Sequence, residues 1–123
     1  MKARILIAAR QAPNRAALRL FLQERHASEV VGEAADSAEL LAQLAAQQPN
    51  VVLLEWGLPD QPMEDLLPAV RGLDHRLEVI ILSGRPELEP RARAAGADAF
   101  VSWCDPPQRL LAALQAIEGS REA

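Results

Sequence analysis

The chain has 123 residues, a length typical of one domain with a single hydrophobic core. No apolar run reaches the roughly 18 residues that a membrane span needs, and the first residues lack a secretion-signal pattern, so we expect one cytoplasmic domain over residues 1–123. The net charge of −4 without a basic cluster argues against direct nucleic-acid binding. A single cysteine excludes an internal disulfide and a cysteine metal cluster.

The first half of the chain alternates strand-like and helix-like segments. The apolar run Ile5–Ala8 predicts a strand, and residues 13–26, opened by a proline, predict a helix with one apolar face. Glu29–Glu33 predicts a second strand that is polar at both ends, as edge strands often are. Asp36, followed three residues later by a glutamate, is typical of a helix N-cap, and this second helix should end before Pro49.

The stretch Val51–Asp60 is the most informative part of the sequence. Four consecutive apolar residues predict a strand buried on both faces, ending at Glu55 before a loop that contains glycine and proline. Ligands collect at the carboxyl ends of strands in open α/β sheets, so Glu55 is a candidate functional residue. A third helix should follow Pro62, and Pro68 predicts that this helix is kinked or starts late.

The rest of the chain adds two strands and two helices. Glu78–Ser83 predicts a buried fourth strand, and a short fourth helix is expected from Pro90 to Ala95. Ala99–Trp103 predicts the fifth strand, and residues 105–117 predict the last helix. Five strands that alternate with five helices indicate a doubly wound α/β fold with a parallel sheet, although this pattern leaves the strand order open.

Three stretches resemble a CheY-like receiver domain of bacterial two-component response regulators. Glu29–Ala34 is similar to the second strand of receivers that precede helix-turn-helix output domains, and Val51–Pro59 resembles the strand and loop around their phosphorylated aspartate. Gly96–Phe100 resembles the entry into their fifth strand. The resemblance implies the flavodoxin-like strand order 2-1-3-4-5, with helices one and five on one face of the sheet and helices two to four on the other.

The resemblance also implies roles for six positions. Receivers hold a magnesium ion with an acidic pair, phosphorylate an aspartate, contact the phosphoryl group with a hydroxyl and a lysine, and carry an aromatic residue that changes rotamer. The acidic pair corresponds to Ala9 and Arg10, and the phosphoacceptor to Glu55. The hydroxyl corresponds to Ser83, the aromatic residue to Phe100 and the lysine to Trp103. Only Ser83 and Phe100 have the residue type that the family uses there.

The remaining four positions lack the chemistry of phosphorylation. Mg²⁺ prefers several carboxylate ligands, and Ala9 and Arg10 supply none, so we expect no magnesium and no other cofactor. Without a metal and a lysine, little stabilises a transferred phosphoryl group, so neither autophosphorylation nor another enzymatic activity is expected. Instead, the Arg10 side chain should form a charged hydrogen bond with Glu55, and Arg10→Ala should then destabilise the fold.

Several side chains near this site have more than one interpretation. Trp103 and Trp56 could close the pocket that the metal and the lysine would otherwise fill, or Trp103 could lie exposed and anchor a partner. Glu55 could imitate a phosphorylated aspartate, but a phosphate monoester carries more charge and one more oxygen. We therefore favour a conformation of this domain that corresponds to neither the phosphorylated nor the unphosphorylated state of a typical receiver. Three further side chains are expected to be bystanders, the first half-buried and the others solvated: Cys104, His26 and His75.

The favoured hypothesis is a degenerate receiver that acts as a phosphorylation-independent protein-interaction module, bound to a signalling partner or to a second copy of itself. Its short, proline-containing fourth helix predicts a partner surface of its own. The alternative is a phosphate-accepting receiver that forms the input half of a DNA-binding transcription regulator. A more distant alternative is an unrelated flavodoxin-like domain that binds a small anion through Arg10.

Overall fold

The computed structural model describes residues 3–25, 28–74 and 76–122, so the expectations for His26 and His75 lie outside the described residues. The strands are β1 (Ala3–Ala8), β2 (Ser28–Ala34), β3 (Val51–Glu55), β4 (Glu78–Ser83) and β5 (Ala99–Ser102). The helices are α1 (Ala12–Gln23), α2 (Ser37–Gln47), α3 (Met63–Leu73), α4 (Glu89–Ala95) and α5 (Pro107–Glu122), with a 3-10 turn (Pro86–Leu88) before α4. None of the helices in these ranges is long and apolar enough to cross a membrane.

The strands form one parallel sheet in the order β2-β1-β3-β4-β5, which confirms the expected α/β topology. In the register of the two central strands, Ile5 lies opposite Val51 and Ala8 opposite Leu54. The chain runs from β1 outwards to β2 and then returns to the other side of β1 with β3. The carboxyl ends of β1 and β3 therefore lie side by side at the point where the strand order reverses.

Two hydrophobic cores cover the two faces of the sheet. On one face, α1 and α5 pack on the sheet through residues such as Leu22 and Leu114. On the other face, α2, α3 and α4 pack through residues such as Leu40, Leu66 and Ala92. This division confirms the predicted distribution of the helices. The apolar residues of β3 are fully buried because helices cover the strand from both sides.

Several elements differ in their bounds from the sequence-based expectation, and α5 runs from Pro107 to Glu122 where residues 105–117 were expected. The third helix begins at Met63, directly after Pro62, so the predicted late start is wrong. Pro68 lies exposed inside this helix, while Met63 and three further apolar residues of α3 are buried. Their burial offsets the one backbone hydrogen bond that a proline removes. The first helix ends at Gln23, and β5 ends at Ser102, which leaves Trp103 in the following turn.

The amino end of α2 is held by two aspartates. Asp36 is the predicted N-cap, and its carboxylate accepts the backbone N–H of Glu39 at 2.8 Å. Asp60, in the loop after β3, accepts the backbone N–H groups of Ser37 at 2.8 Å and Ala38 at 3.3 Å. The bond from Ser37 is the main cause that lowers the pKa of Asp60 below its ordinary value. These contacts tie the loop after β3 to the neighbouring helix.

Arg71 connects α3 to the segments around β4 and β5. Its guanidinium donates hydrogen bonds to the carbonyl oxygen of Leu77, to the carbonyl oxygen of Gly96 at 2.7 Å and to the carboxylate of Asp98. Asp98 also accepts the backbone N–H of Val79 at 2.7 Å. Gly96 ends α4 with a φ of 119°, a left-handed conformation that favours glycine. One side chain thus fixes the positions of three neighbouring segments.

Candidate functional site

A cleft of about 460 Å³ opens at the carboxyl end of the sheet. Loops that follow β1, β3, β4 and β5 form its walls, because the carboxyl ends of parallel strands meet at one edge. Five of the six predicted positions lie in or beside this cleft, and four of them, Arg10, Glu55, Ser83 and Trp103, line it directly. Ala9 is buried just below Arg10, and the sixth position, Phe100, belongs to the core on the α2–α4 side.

Glu55 is held by donors other than the one predicted. Its carboxylate accepts the backbone N–H of Arg10 at 3.1 Å and the side-chain amide of Asn14 at 3.3 Å. The predicted bond between the Arg10 side chain and Glu55 is wrong: within the described residues, the Arg10 guanidinium has no hydrogen-bond or ion-pair partner, and the residue is exposed. Donors fixed by β1 and α1 reach the carboxylate without the entropic cost of ordering a long side chain.

With this arrangement, removing the Arg10 side chain should no longer destabilise the fold. Arg10→Ala should change the free energy of unfolding by no more than about 0.5 kcal/mol, because the backbone N–H that Glu55 accepts remains in place. Urea unfolding of the parent and the variant measures the difference. A loss of more than about 1.5 kcal/mol would show that the guanidinium contributes to holding Glu55 in solution.

Arg15 holds the loop after β1 from the side of α1. Its Nη1 donates to the carbonyl oxygens of Ala9 at 2.7 Å and Arg10 at 3.2 Å, and its Nε donates to Glu33 at 3.2 Å. Arg19 donates to the other oxygen of Glu33 at 2.6 Å. Neither arginine was expected at the site from the sequence, although their spacing of four residues places them on one face of α1.

The hydroxyl of Ser83 serves a local turn. Ser83 is buried, and its Oγ accepts the backbone N–H of Arg85 at 3.1 Å. Serine side chains often accept a backbone N–H two residues later in this way, where a strand ends and the chain turns. This bond leaves the hydroxyl hydrogen of Ser83 able to donate one hydrogen bond.

Both tryptophans line the cleft. Trp103 donates its backbone N–H to the carbonyl oxygen of Ser83 at 2.8 Å, and its side of the cleft includes Gly84. The residue is 38% exposed, so it lines the cleft and does not fill it as the sequence analysis favoured. The neighbouring Cys104 is exposed, which corrects the expectation of a half-buried thiol.

Trp56 is half-buried, and α4 holds it in place. The guanidinium carbon of Arg91 lies 5.6 Å from the centre of the indole ring, a distance typical of a cation–π contact. Arg91 also forms an ion pair with Glu64 on α3. The backbone N–H of Trp56 continues the pairing of β3 with β4 by donating to Leu82 at 2.8 Å. The wall made by Trp56 is therefore fixed from both sides.

Comparison with known proteins identifies the family. Residues 5–115 match the model of the response regulator receiver domain. The chain is 34% identical over 94 residues to the "Probable transcriptional regulatory protein SgaR" of Hyphomicrobium methylovorum, a match that covers 75% of this chain and 44% of the relative. It is 29% identical over 121 residues to the phosphate regulon transcriptional regulatory protein PhoB of Klebsiella pneumoniae, covering 95% and 52% of the two chains.

A solved structure agrees with the fold. A two-component response regulator of the LuxR family from Aurantimonas sp. SI85-9A1 superposes with a TM-score of 0.88 at 24% identity, over 97% of this chain and 87% of the other. The chain spans about half the length of the curated relatives it matches. The family match excludes the hypothesis of an unrelated anion-binding domain. Because this match covers most of the sequence, the chain belongs to the response regulator receiver domain family.

Proposed function

We propose that this receiver domain signals without phosphorylation of Glu55, as a protein-interaction module. The observation that carries the proposal is the state of the Glu55 carboxylate, which accepts hydrogen bonds at both of its oxygens from Arg10 and Asn14. Hydrogen bonds to both oxygens hold the carboxylate against the loop after β1 and the first turn of α1, and they lower its nucleophilicity. No metal ligands or lysine at the matching positions offset this loss.

The residues around Glu55 do not fit the magnesium ion that the family implies. Mg²⁺ requires hard oxygen ligands in nearly octahedral geometry. Ala9 offers a methyl group and Arg10 a cation where carboxylates would be needed, and the carbonyl oxygens of both residues accept hydrogen bonds from Arg15. In the described ranges, no three His, Cys, Asp or Glu side chains are grouped so that they could hold a metal. The residues present therefore do not make a magnesium site.

The position of the family's lysine supports the same proposal. Trp103 supplies an indole there, which has no positive charge to neutralise a phosphoryl group. Phosphoryl transfer depends on positioning and charge stabilisation, and this cleft has lost both the metal ligands and the lysine. Nor does Glu55 replace the signal by imitating a phosphate, because its carboxylate is bound to neighbouring donors and makes no hydrogen bond to the Ser83 hydroxyl.

The partner in this proposal is another signalling protein or a second copy of the domain. A surface around α4 supports it, because the 3-10 turn and the seven-residue helix give this segment its own shape. Ion pairs cover the segment, with Arg85 bound to Glu87 at 3.0 Å and Arg93 bound to Glu89 at 2.8 Å. A partner that fits this shape would bind without a switch at Glu55, and the amount of partner would then set the signal.

The comparisons favour a second, compatible proposal. Two curated relatives are transcriptional regulators by name, and this chain matches about half of each. We propose that the domain serves as the input half of such a regulator, with any contact to DNA made by the other half. The acidic receiver domain itself would not contact DNA.

Incubation with acetyl phosphate and Mg²⁺, and separately with beryllium fluoride, tests the absence of phosphorylation. We expect no phosphoryl adduct in the mass spectrum and no magnesium-dependent shift of the amide signals near Glu55. Glu55→Asp should also stay unmodified, because the metal ligands are still missing. As a positive control, the combined variant Ala9→Asp, Arg10→Asp, Glu55→Asp and Trp103→Lys should gain the adduct. An adduct on the parent protein would contradict the proposal.

A further inference from the structure

The cleft contains all the tryptophan of the chain. The sequence has two tryptophans and no tyrosine, and both tryptophans line the cleft. Its volume of about 460 Å³ falls in the usual range for small-molecule sites. Trp103 is 38% exposed and lines this space, so its indole is accessible to a ligand.

The cleft also contains a charged side chain, Arg10, whose guanidinium has no partner among the described residues. The backbone of Arg10 is fixed on both sides, since its N–H donates to Glu55 and its carbonyl oxygen accepts from Arg15. The guanidinium itself extends from this fixed backbone, and the described part of the chain offers it no partner. Arg85, the other arginine of the cleft, is paired with Glu87.

The charges of the cleft indicate the charge of a ligand. Arg10, Arg85 and Glu55 are the ionisable residues that line it, and Glu87 already neutralises Arg85. Arg10 is therefore the cation left to pair with a ligand, and a single negative charge is enough for that pair. A dianion such as phosphate would bring a second negative charge, which no remaining cation of the cleft balances and which Glu55 repels.

We propose that this cleft binds a small planar monoanion of the aromatic carboxylate class. The ring lies against the indole of Trp103, where flat aromatic surfaces stack or meet edge to face. The carboxylate accepts two parallel hydrogen bonds from the Arg10 guanidinium, the geometry that suits this pair of groups best. Glu55 stays bound to Asn14 and to the Arg10 backbone, and its negative charge disfavours ligands with a second negative charge. The proposal adds a ligand class to the proposed function and needs no phosphoryl chemistry.

Tryptophan fluorescence reports on this binding directly, because every emitting indole lies in the cleft. We expect benzoate to change the emission of the full chain in a saturable way, with a dissociation constant of about 1 mM or tighter. Benzamide, which has the ring without the charge, and acetate, which has the charge without the ring, should each bind at least roughly tenfold more weakly. Inorganic phosphate should not compete with benzoate.

Two variants assign the binding to the cleft. Arg10→Gln should weaken benzoate binding roughly tenfold, which corresponds to the loss of one charged hydrogen-bond pair. Arg109→Gln, an exposed arginine on α5 away from the cleft, should leave the affinity unchanged. Trp103→Leu should weaken binding when amide spectra are used as the readout.

Four results would overturn the proposal. They are the absence of a saturable change with benzoate, equal binding of benzamide or acetate, competition by phosphate at equal concentration, and unchanged affinity in Arg10→Gln. None of these measurements includes a phosphodonor. A failure here would therefore leave the phosphorylation-independent receiver intact, whereas an adduct with acetyl phosphate would contradict that function without affecting benzoate binding.

Discussion

Replacement of Arg71 by alanine should lower the free energy of unfolding by about 3 kcal/mol. The side chain is only 26% exposed and donates to the carbonyl oxygens of Leu77 and Gly96 and to Asp98. Hydrogen bonds that involve a charged group contribute about 1.5–3 kcal/mol each, and bonds that share one donor group do not add fully. Removal also leaves the carboxylate of Asp98 without its cation. Urea unfolding, followed by circular dichroism, gives the difference.

Two variants separate this network from a general effect of charge. Arg71→Lys keeps the positive charge but cannot reach three acceptors with one planar group, so it should recover less than half of the loss. Arg91→Ala removes an arginine of the same face that is 63% exposed and should cost about 1 kcal/mol or less. If Arg71→Ala and Arg91→Ala destabilised the domain equally, the network around Arg71 would not hold α3, β4 and β5 together.

Arg15→Ala should have the second largest effect, a loss of about 2 kcal/mol in the free energy of unfolding. Its side chain is 19% exposed and bridges the carbonyl oxygens of Ala9 and Arg10 to Glu33. Without it, these carbonyls lose their donor, and Glu33 keeps only Arg19. Amide exchange at Arg10 should also become faster, because the loop that presents this N–H to Glu55 is no longer held.

Arg19→Ala provides the matched control on the same helix. Arg19 pairs with the same glutamate, but its side chain is 38% exposed and no hydrogen bond joins it to the loop after β1. It should cost about 1 kcal/mol or less and leave the exchange of the Arg10 amide unchanged. Faster Arg10 exchange in both variants would mean that the ion pair with Glu33, and not the contact with the loop, positions the site.

The apolar pattern of the sequence predicted most of the fold. Glu78–Ser83 was predicted with the bounds that the structure has, because a short run of β-branched and aliphatic residues between charged or turn residues leaves few choices. The strand order came from the resemblance to receivers, since periodicity does not distinguish one parallel order from another. Pro68 misled the prediction because it was judged by the lost backbone bond, while buried side chains on the same helix outweigh that loss.

The candidate site was predicted in position but not in its contacts. The ends of β1 and β3 had to meet, so Arg10 and Glu55 had to be neighbours. The sequence could not show whether the backbone or the side chain of Arg10 would be the donor, because that depends on the path of the loop over a few ångströms. Asn14 was missed for the same reason: a polar residue in the first turn of a helix looks solvated until the adjacent strand is placed.

The strand order also has a consequence for how the polypeptide assembles as it is synthesised. β1 is the first of the five strands to be made, yet it lies between β2 and β3. On the side that faces β3, Ile5 of β1 lies opposite Val51. A nascent chain that has not yet extended through β3 therefore exposes one edge of β1 and cannot complete either core. After β3, each new strand pairs with the one made just before it, first β4 and then β5. Both cores also contain residues made much later, such as Phe100 in one and Leu114 in the other. We therefore expect nascent chains to stay protease-sensitive past β3 and to reach protease resistance in one late step, once α5 has been made.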